Sequence, residues 1–403
     1  MKLLTGISRV LVGCLFIFSG FIKANDPIGF SYKLTEYYSI FGTGFLQHGE
    51  VFQAMLICVI EIVLGVCVLI GTRMKLSSWL LLLMIIFFTF LTGFTAISNW
   101  FYENPDHSRT QWFANLLNFN PRELYYMKDC GCFGDFVKLT PWQSFLKDLI
   151  LLVLIVIIFI RRNHIRAFFA KILQTNLIIF FALLSAFFTT YCYMYTPAFN
   201  FLYWDKGNNV IEYMEEIPDE KAYLFVYEKD GQHFTFDMNN LPSDPSYTFV
   251  DRFDSITKPG VPAMIHDFHV SNELGDDITM EVLQSPAYQL FIVAYDLNEA
   301  RVKSFTKFNE TAEAFQSAGF KIYAFTSTPP EKVEEFRHEH QLAYPFGQMD
   351  RTALKSIIRS NPGFILMKEG VVVEYWSARN VPTMKNIEKE MERYDKKLAK
   401  QKP

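Results

Sequence analysis

Two cysteines separated by one glycine lie at the centre of Asp129-Cys130-Gly131-Cys132-Phe133-Gly134-Asp135. Thiols at this spacing offer three chemistries. They can close a disulfide only through a small ring, and strained disulfides are readily reduced and tend to be labile or catalytic. Two thiolates can instead ligate a soft metal such as copper(I) or zinc, with His107 the histidine available in the same loop. A plain structural disulfide is the third. Gly131 permits the tight backbone that ring closure needs. Lys128 favours the reactive thiolate while Asp129 and Asp135 oppose it, so the direction of any pKa shift stays open. The working expectation is a redox-active dithiol.

A second chemically capable residue is Glu61, set in the apolar stretch Cys58-Val59-Ile60-Glu61-Ile62-Val63-Leu64-Gly65. An acid inside such a stretch is costly and faces a bundle interior or a polar cavity. It reads either as a proton-handling group beside a redox site or as a strut hydrogen-bonded to Ser19 or Thr92. Lys23 reads as a snorkelling anchor, and a Glu61–Lys23 pair is an arrangement that the sequence does not fix. The other cysteines, Cys14, Cys58, Cys67 and Cys192, fall in apolar runs and read as small buried or lipid-facing residues.

These groups need a scaffold, and composition says which. Half of the 403 residues are apolar and 41 are phenylalanine. Residues 1–197 carry 15 Lys+Arg against 10 Asp+Glu, a net of +5; the remainder carries 23 against 32, a net of −9. A basic, apolar half followed by an acidic, ordinary half reads as a membrane domain followed by a soluble one. The basic residues sit at the ends of apolar runs, which is no nucleic-acid footprint.

Five runs approach the ~20 residues that a hydrocarbon core requires: about 3–22, 52–71, 76–98, 142–160 and 173–195. The first lacks a small-residue cleavage pattern at Ile22-Lys23-Ala24 and continues past Cys14, so a spanning helix is expected rather than a signal or lipoprotein peptide. Lys2 and Arg9, Arg73 and Lys75, and Arg161, Arg162, Arg166 and Lys171 mark the cytoplasmic side. The thiol loop and the C-terminal half then share the other side, where disulfides persist. Tyr37, Tyr38, Trp100, Tyr102, Tyr125, Tyr126, Trp142 and Trp204 suit an aromatic belt at the interfaces.

The run Arg9…Phe18-Ser19-Gly20-Phe21-Ile22-Lys23, then Asn25-Asp26-Pro27 with Phe30 and Tyr37-Tyr38, and the span bearing Glu61 resemble the DoxX family of membrane proteins. Cys130-Gly131-Cys132-Phe133-Gly134 before a fourth span resembles that family's redox-associated MauE-like branch. The resemblance covers about residues 1–160. It implies a four-helix bundle, similar to the quinone-linked disulfide oxidoreductases of the vitamin K epoxide reductase type. Cys130 and Cys132 would be the redox pair, Glu61 the intramembrane acid, and a membrane quinone the possible cofactor. Enzymes of that type relay electrons between two cysteine pairs, and this chain shows one clear pair.

In the second half, Gln289–Tyr295 suits a buried strand, and Arg301–Gln316 a helix. Phe320–Thr326 suits a second strand, and Pro330–Gln341 a helix opened by proline. Gly363–Met367 and Val371–Trp376 suit a hairpin, followed by a helix from Met384. That order resembles the membrane-tethered thioredoxin-like domains over about residues 258–395. Asn361-Pro362 falls where that family carries its cis-proline, and Tyr295-Asp296-Leu297-Asn298-Glu299-Ala300 where it carries its cysteines. No cysteine lies beyond Cys192, so this domain exchanges no disulfides, and Tyr295, Asp296, Asn361 and Pro362 are expected to form a peptide-docking face. His266, His269, His338 and His340 read as solvated surface rather than a zinc site.

The expected architecture is therefore an all-α membrane bundle, with a four-helix DoxX-like core (1–160) and a loop plus fifth span (161–197). A mixed connecting region (198–257), an α/β thioredoxin-like domain (258–395) and a charged tail (396–403) follow. The expected function is a possible thiol-disulfide oxidoreductase of the inner membrane, with an exported thiol or disulfide protein as partner, no nucleic acid, and the lipid bilayer as its setting. The alternative is a non-catalytic membrane scaffold whose loop disulfide is structural.

Overall fold

Glycines on two facing helices set the geometry of the first half. The computed structural model describes residues 2–127, 131, 133–271 and 275–401; Cys130 and Cys132, with Lys128 and Asp129, lie outside the described residues. The helices are α1 (Lys2–Asn25), α2 (Pro27–Ile40), α3 (Glu50–Ile70), α4 (Met74–Glu103), α5 (Ser108–Leu117), α6 (Pro141–Arg161) and α7 (Lys171–Met194). By length and composition α1, α3, α4, α6 and α7 can each cross a membrane. The shortest, at 21 residues, is about 32 Å long at 1.5 Å per residue, close to a hydrocarbon core.

Helices α1 and α3 pack at backbone distance. A Cβ on Gly65 would lie 2.8 Å from the Gly13 carbonyl oxygen, and one on Gly20 would lie 2.8 Å from Ile62 Cγ1. Small residues give such approaches between membrane helices, whose association depends on packing rather than on hydrophobic burial. Helix α6 packs on α4 and α1, and α7 on α3 and α1. Val12, Phe16, Leu64, Val68, Leu81, Ile85, Ile155 and Ile158 fill the centre. At one end, Arg9 donates to the Val68 and Leu69 carbonyls, where a cation suits a helix C-terminus.

The segments joining the spans contain helices that periodicity did not mark. Helix α2 begins because Asp26 caps it, accepting from the Gly29 amide at 2.8 Å, with Pro27 in the first turn. It packs on α3. Thr140 and Gln143 form a reciprocal capping box that starts α6 just after the thiol loop.

The second unit begins near Tyr203 and contains α8 (Val210–Met214), β1 (Glu220–Lys229), β2 (Gln232–Asp237), β3 (Thr248–Lys258) and α9 (Thr279–Leu283). Then follow β4 (Gln289–Val293), α10 (Val302–Ser317), β5 (Lys321–Thr326), α11 (Pro330–His340), β6 (Phe346–Gln348), α12 (Arg351–Ile357), β7 (Gly363–Lys368), β8 (Val371–Ser377) and α13 (Met384–Gln401). Strands β1 to β3 form an antiparallel sheet in the order β2-β1-β3. Its hairpin turns at Asp230-Gly231, both at positive φ, as a two-residue hairpin of this twist requires.

The main sheet has the order β6-β5-β4-β7-β8, with β4 parallel to β5 and antiparallel to β7. Alternation along β4 sends Leu290 and Ile292 into one core, where Ala294 just beyond the strand follows them, and Phe291 and Val293 into the other. This is the thioredoxin arrangement. Strand β6 and helix α12 add to the expected order, because three and seven residues are too short to show a period. Trp204 and Val210 are buried in the second of these cores, so the chain enters this fold well before the first strand of the main sheet.

Candidate functional site

The close approach of α1 and α3 brings Lys23 against Glu61. Lys23 Nζ donates to Glu61 Oε2 at 2.7 Å and Oε1 at 3.1 Å, with both side chains 4% exposed. The same ammonium donates to Ser19 Oγ at 3.1 Å and lies 4.5 Å from the Phe88 ring centroid. The expected snorkelling role of Lys23 is therefore corrected. Near the end of a helix pinned to α3, its head group finds a carboxylate nearer than water. Lys23 bridges Glu61 and Ser19, and Thr92 bonds another acid.

Thr92 donates to a second buried acid, Asp148 Oδ2, at 3.0 Å. Asp148 Oδ1 is 3.0 Å from Lys147 Nζ, with side-chain exposures of 3% and 22%. This α6 pair was not singled out from the sequence. The rule that flagged Glu61, an ionisable residue within an apolar span, applies equally to Asp148; its place in the second turn of α6 hid it.

The loop carrying the thiols is held to α4 just before them. Asn99 Nδ2 donates to the Met127 carbonyl at 2.6 Å, and the Met127 amide donates to Asn99 Oδ1 at 3.1 Å. Ser98 Oγ donates to the Tyr125 carbonyl at 3.1 Å. Gly131, with φ at +66°, lies so close to α2 that a Cβ would fall 2.8 Å from Lys33 Cγ. The Phe133 ring sits 4.8 Å from Lys147 Nζ and 5.8 Å from the Phe18 ring. Phe133, Ser19, Lys23, Glu61, Lys147 and Asp148 line one cavity of about 20 Å³, room for about one water. Gly131 borders a second, with Lys23, Lys33, Tyr37 and Thr92. Among the described cysteines, Cys58, Cys67 and Cys192 are buried and Cys14 is exposed, all as free thiols.

In the second unit the four residues expected to form a docking face come together. The Asn361–Pro362 peptide is cis. Asn361 Nδ2 donates to the Asp296 carbonyl at 2.8 Å, and the Arg301 amide to the Asn361 carbonyl at 3.0 Å. Tyr295 holds its turn by accepting from Ser327 Oγ, with Lys355 Nζ 5.7 Å from its ring. Arg351 bonds Glu299 at 3.0 Å and lies 3.5 Å from Asp296. Burial lowers the pKa of its guanidinium, but Glu299 and Asp296 outweigh that, so the net direction is up. His266, His269 and His338 are not buried, and His340 packs edge-on against Phe336.

Residues 1–102 match the family of the methylamine utilisation protein MauE. Residues 221–259, which span β1 to β3, match a domain of unknown function (DUF8463). No curated protein matches the chain. Among solved structures, StoA from Bacillus subtilis is similar at 17% identity over 32% of this chain and 99% of its own, with a TM-score of 0.26. The thioredoxin domain of a thiol-disulfide oxidoreductase from Bacteroides vulgatus shows 18% identity, 27% and 81% coverage, and 0.24. Thiol peroxidase from Chromobacterium violaceum shows 21% identity, 32% and 84% coverage, and 0.26. The chain thus joins a MauE-like membrane domain to a thioredoxin-like domain.

Proposed function

We propose that the protein exchanges disulfides with exported thiol proteins through Cys130 and Cys132, on the non-cytoplasmic side of an inner membrane. One observation carries the reading. Gly131 and Phe133, the chain neighbours of these cysteines, border cavities lined by the buried ionisable residues Lys23, Glu61 and Asp148 and by the partly buried Lys147. Buried titratable groups beside a reactive loop are what proton-coupled thiol chemistry uses. The thiolate of one partner attacks the other's disulfide, a mixed disulfide forms, and the second thiol resolves it. Glu61 serves as an intramembrane proton-handling acid. The electrons pass to the disulfide of a protein partner or to a membrane quinone.

The thioredoxin-like domain is the docking module. Without cysteines it does no thiol chemistry, and a fold does not by itself confer one. Tyr295, Asp296, Asn361 and Pro362 form the face that binds an extended segment of the partner.

The test is a Cys130→Ser variant in membranes, resolved on a non-reducing gel. A covalent partner that disappears on reduction is expected. A protein that traps nothing with either single cysteine, and merely loses stability, would instead be a scaffold with a structural disulfide. Tyr295→Ala is expected to reduce the trapped yield while leaving alkylation of the loop thiols unchanged.

A further inference from the structure

The sheet β2-β1-β3 has two outer edges, and they differ. Strand β2 is six residues long and carries one formal charge, Asp237. Strand β3 is eleven residues long, pairs with β1 on one side, and pairs with no strand on the other among the described residues. Phe249, Val250, Phe253 and Ile256 along it are all exposed. A long apolar strand with unpaired backbone groups is a template for another strand, and proteins that keep such an edge to themselves shorten it, cover it or place proline in it. Strand β3 contains no proline. Its register shifts against β1 fall near its two ends and leave 251–256 regular.

We propose that the free edge of β3 pairs antiparallel with β3 of a second copy of this chain, about a two-fold axis at Phe253. In an antiparallel pair the hydrogen-bonding groups face the partner strand at every second residue. A strand that pairs with its own copy therefore centres on a residue, and positions equally far on either side of that residue stand opposite each other. Centred on Phe253, Arg252 stands opposite the partner's Asp254, and Asp254 opposite the partner's Arg252. Val250 stands opposite the partner's Ile256, and Phe253 opposite its own copy.

The neighbouring centres each fail on charge. Centring on Asp251, Arg252 or Asp254 sets that residue's charge against itself, and centring on 255 sets Arg252 against Lys258. Opposite charges across a pair of strands stabilise it and like charges destabilise it, so charge selects one register of five. Within one chain Arg252 Nε lies 3.4 Å from Asp254 Oδ1. The two-fold axis sets this pair beside its inverted copy, which makes an alternating network of four charges. An isolated exposed ion pair contributes little, and a network contributes more. So short an edge is small for a complex of free proteins, but two copies held in one bilayer meet at a high effective concentration.

The experiment is cysteine cross-linking of the full-length protein in membranes, with copper phenanthroline as oxidant and a non-reducing gel as readout. The unsubstituted protein, with its native thiols, sets the baseline. Phe253→Cys is expected to give a dimer that disappears on reduction. Val250→Cys and Ile256→Cys are each expected to give none alone, because like positions then lie about 20 Å apart along the strands at about 3.3 Å per residue. Co-expressed on two differently tagged chains, they are expected to cross-link to each other. Arg252→Asp and Asp254→Arg, each added to Phe253→Cys, set like charges across the axis and are each expected to lower the dimer by about tenfold. Co-expressing those two variants is expected to restore it, since one copy then presents two carboxylates and the other two guanidiniums. Damage to either chain's own fold would not be repaired by mixing.

Absence of a dimer from Phe253→Cys, or charge variants that cross-link like their parent, overturns the proposal. A Phe253→Cys dimer without the Val250–Ile256 cross-link overturns the register. A Phe253→Cys adduct with a different protein would show that this edge takes a strand from an exported partner, and that also overturns self-pairing.

Discussion

Lys23 on α1 and Glu61 on α3 lie 38 positions apart in sequence, yet the ammonium lies 2.7 Å from the carboxylate and both are 4% exposed. Removing one partner of such a pair leaves an uncompensated buried charge, whereas removing both leaves an apolar site. Lys23→Met is therefore expected to cost about 3–5 kcal/mol of stability, and Lys23→Met with Glu61→Leu is expected to recover much of it. Thermal unfolding of the detergent-solubilised protein is the measurement. A double variant no more stable than the single one would show that the pair's worth lies in its specific bonds.

The pair exists because α1 and α3 approach through glycine. A side chain at Gly65 meets the Gly13 carbonyl oxygen at 2.8 Å, backbone that cannot swing aside. Gly65→Leu is expected to separate the helices, destabilising the bundle by about 3 kcal/mol or more. Gly6, where an added Cβ would meet nothing within 4 Å, is the control, and Gly6→Leu is expected to leave the unfolding temperature essentially unchanged. Equal losses at both positions would refute the packing argument.

In the second unit, Asp395 accepts from Tyr288 Oη at 2.7 Å and Lys368 Nζ at 2.9 Å. Burial pushes its carboxyl upward, but the bonds from Lys368 and Tyr288 outweigh that, and the net pKa is lowered. A lowered carboxyl contributes stability above its unfolded pKa, about 3.9, and loses it as pH falls through the folded value. Asp395→Asn is therefore expected to speed amide exchange in α13 at pH 7 relative to wild type, with the difference vanishing as pH falls through the lowered folded value. A difference that persists in acid would point to packing rather than charge.

How far the sequence revealed this depends on the length of each signal. Five apolar runs of about 20 residues each mark their spans to within a few positions, because a bilayer demands that length. The thioredoxin order is legible from Gln289–Val293 and Gly363–Lys368, strands buried on both faces. Strand β6, at three residues, leaves no period to read. Glu61 stood out as an acid in the middle of a run, while Asp148, equally buried, lay near a polar boundary. Lys23 was misplaced for a related reason: an end position suggests water, and only the glycine contacts of Gly20 and Gly65 show that the helix end is enclosed.

Asn99 offers the most direct test of how the bundle holds the thiol loop. Its amide gives one bond to the Met127 carbonyl and takes one from the Met127 amide. Both backbone groups lie three residues before Cys130. Asn99→Ala would leave them buried without partners, at a cost of about 1–3 kcal/mol each, which the loop can relieve by lifting off α4. Trapping of a partner by the Cys130→Ser protein is then expected to fall several-fold, while the midpoint of bundle unfolding drops by only a few degrees. Asn99→Asp keeps the acceptor for the Met127 amide and loses the donor to its carbonyl, so it is expected to fall between wild type and alanine. Should Asn99→Ala trap partners at the wild-type rate, the thiol loop does not depend on this anchor for its reactivity.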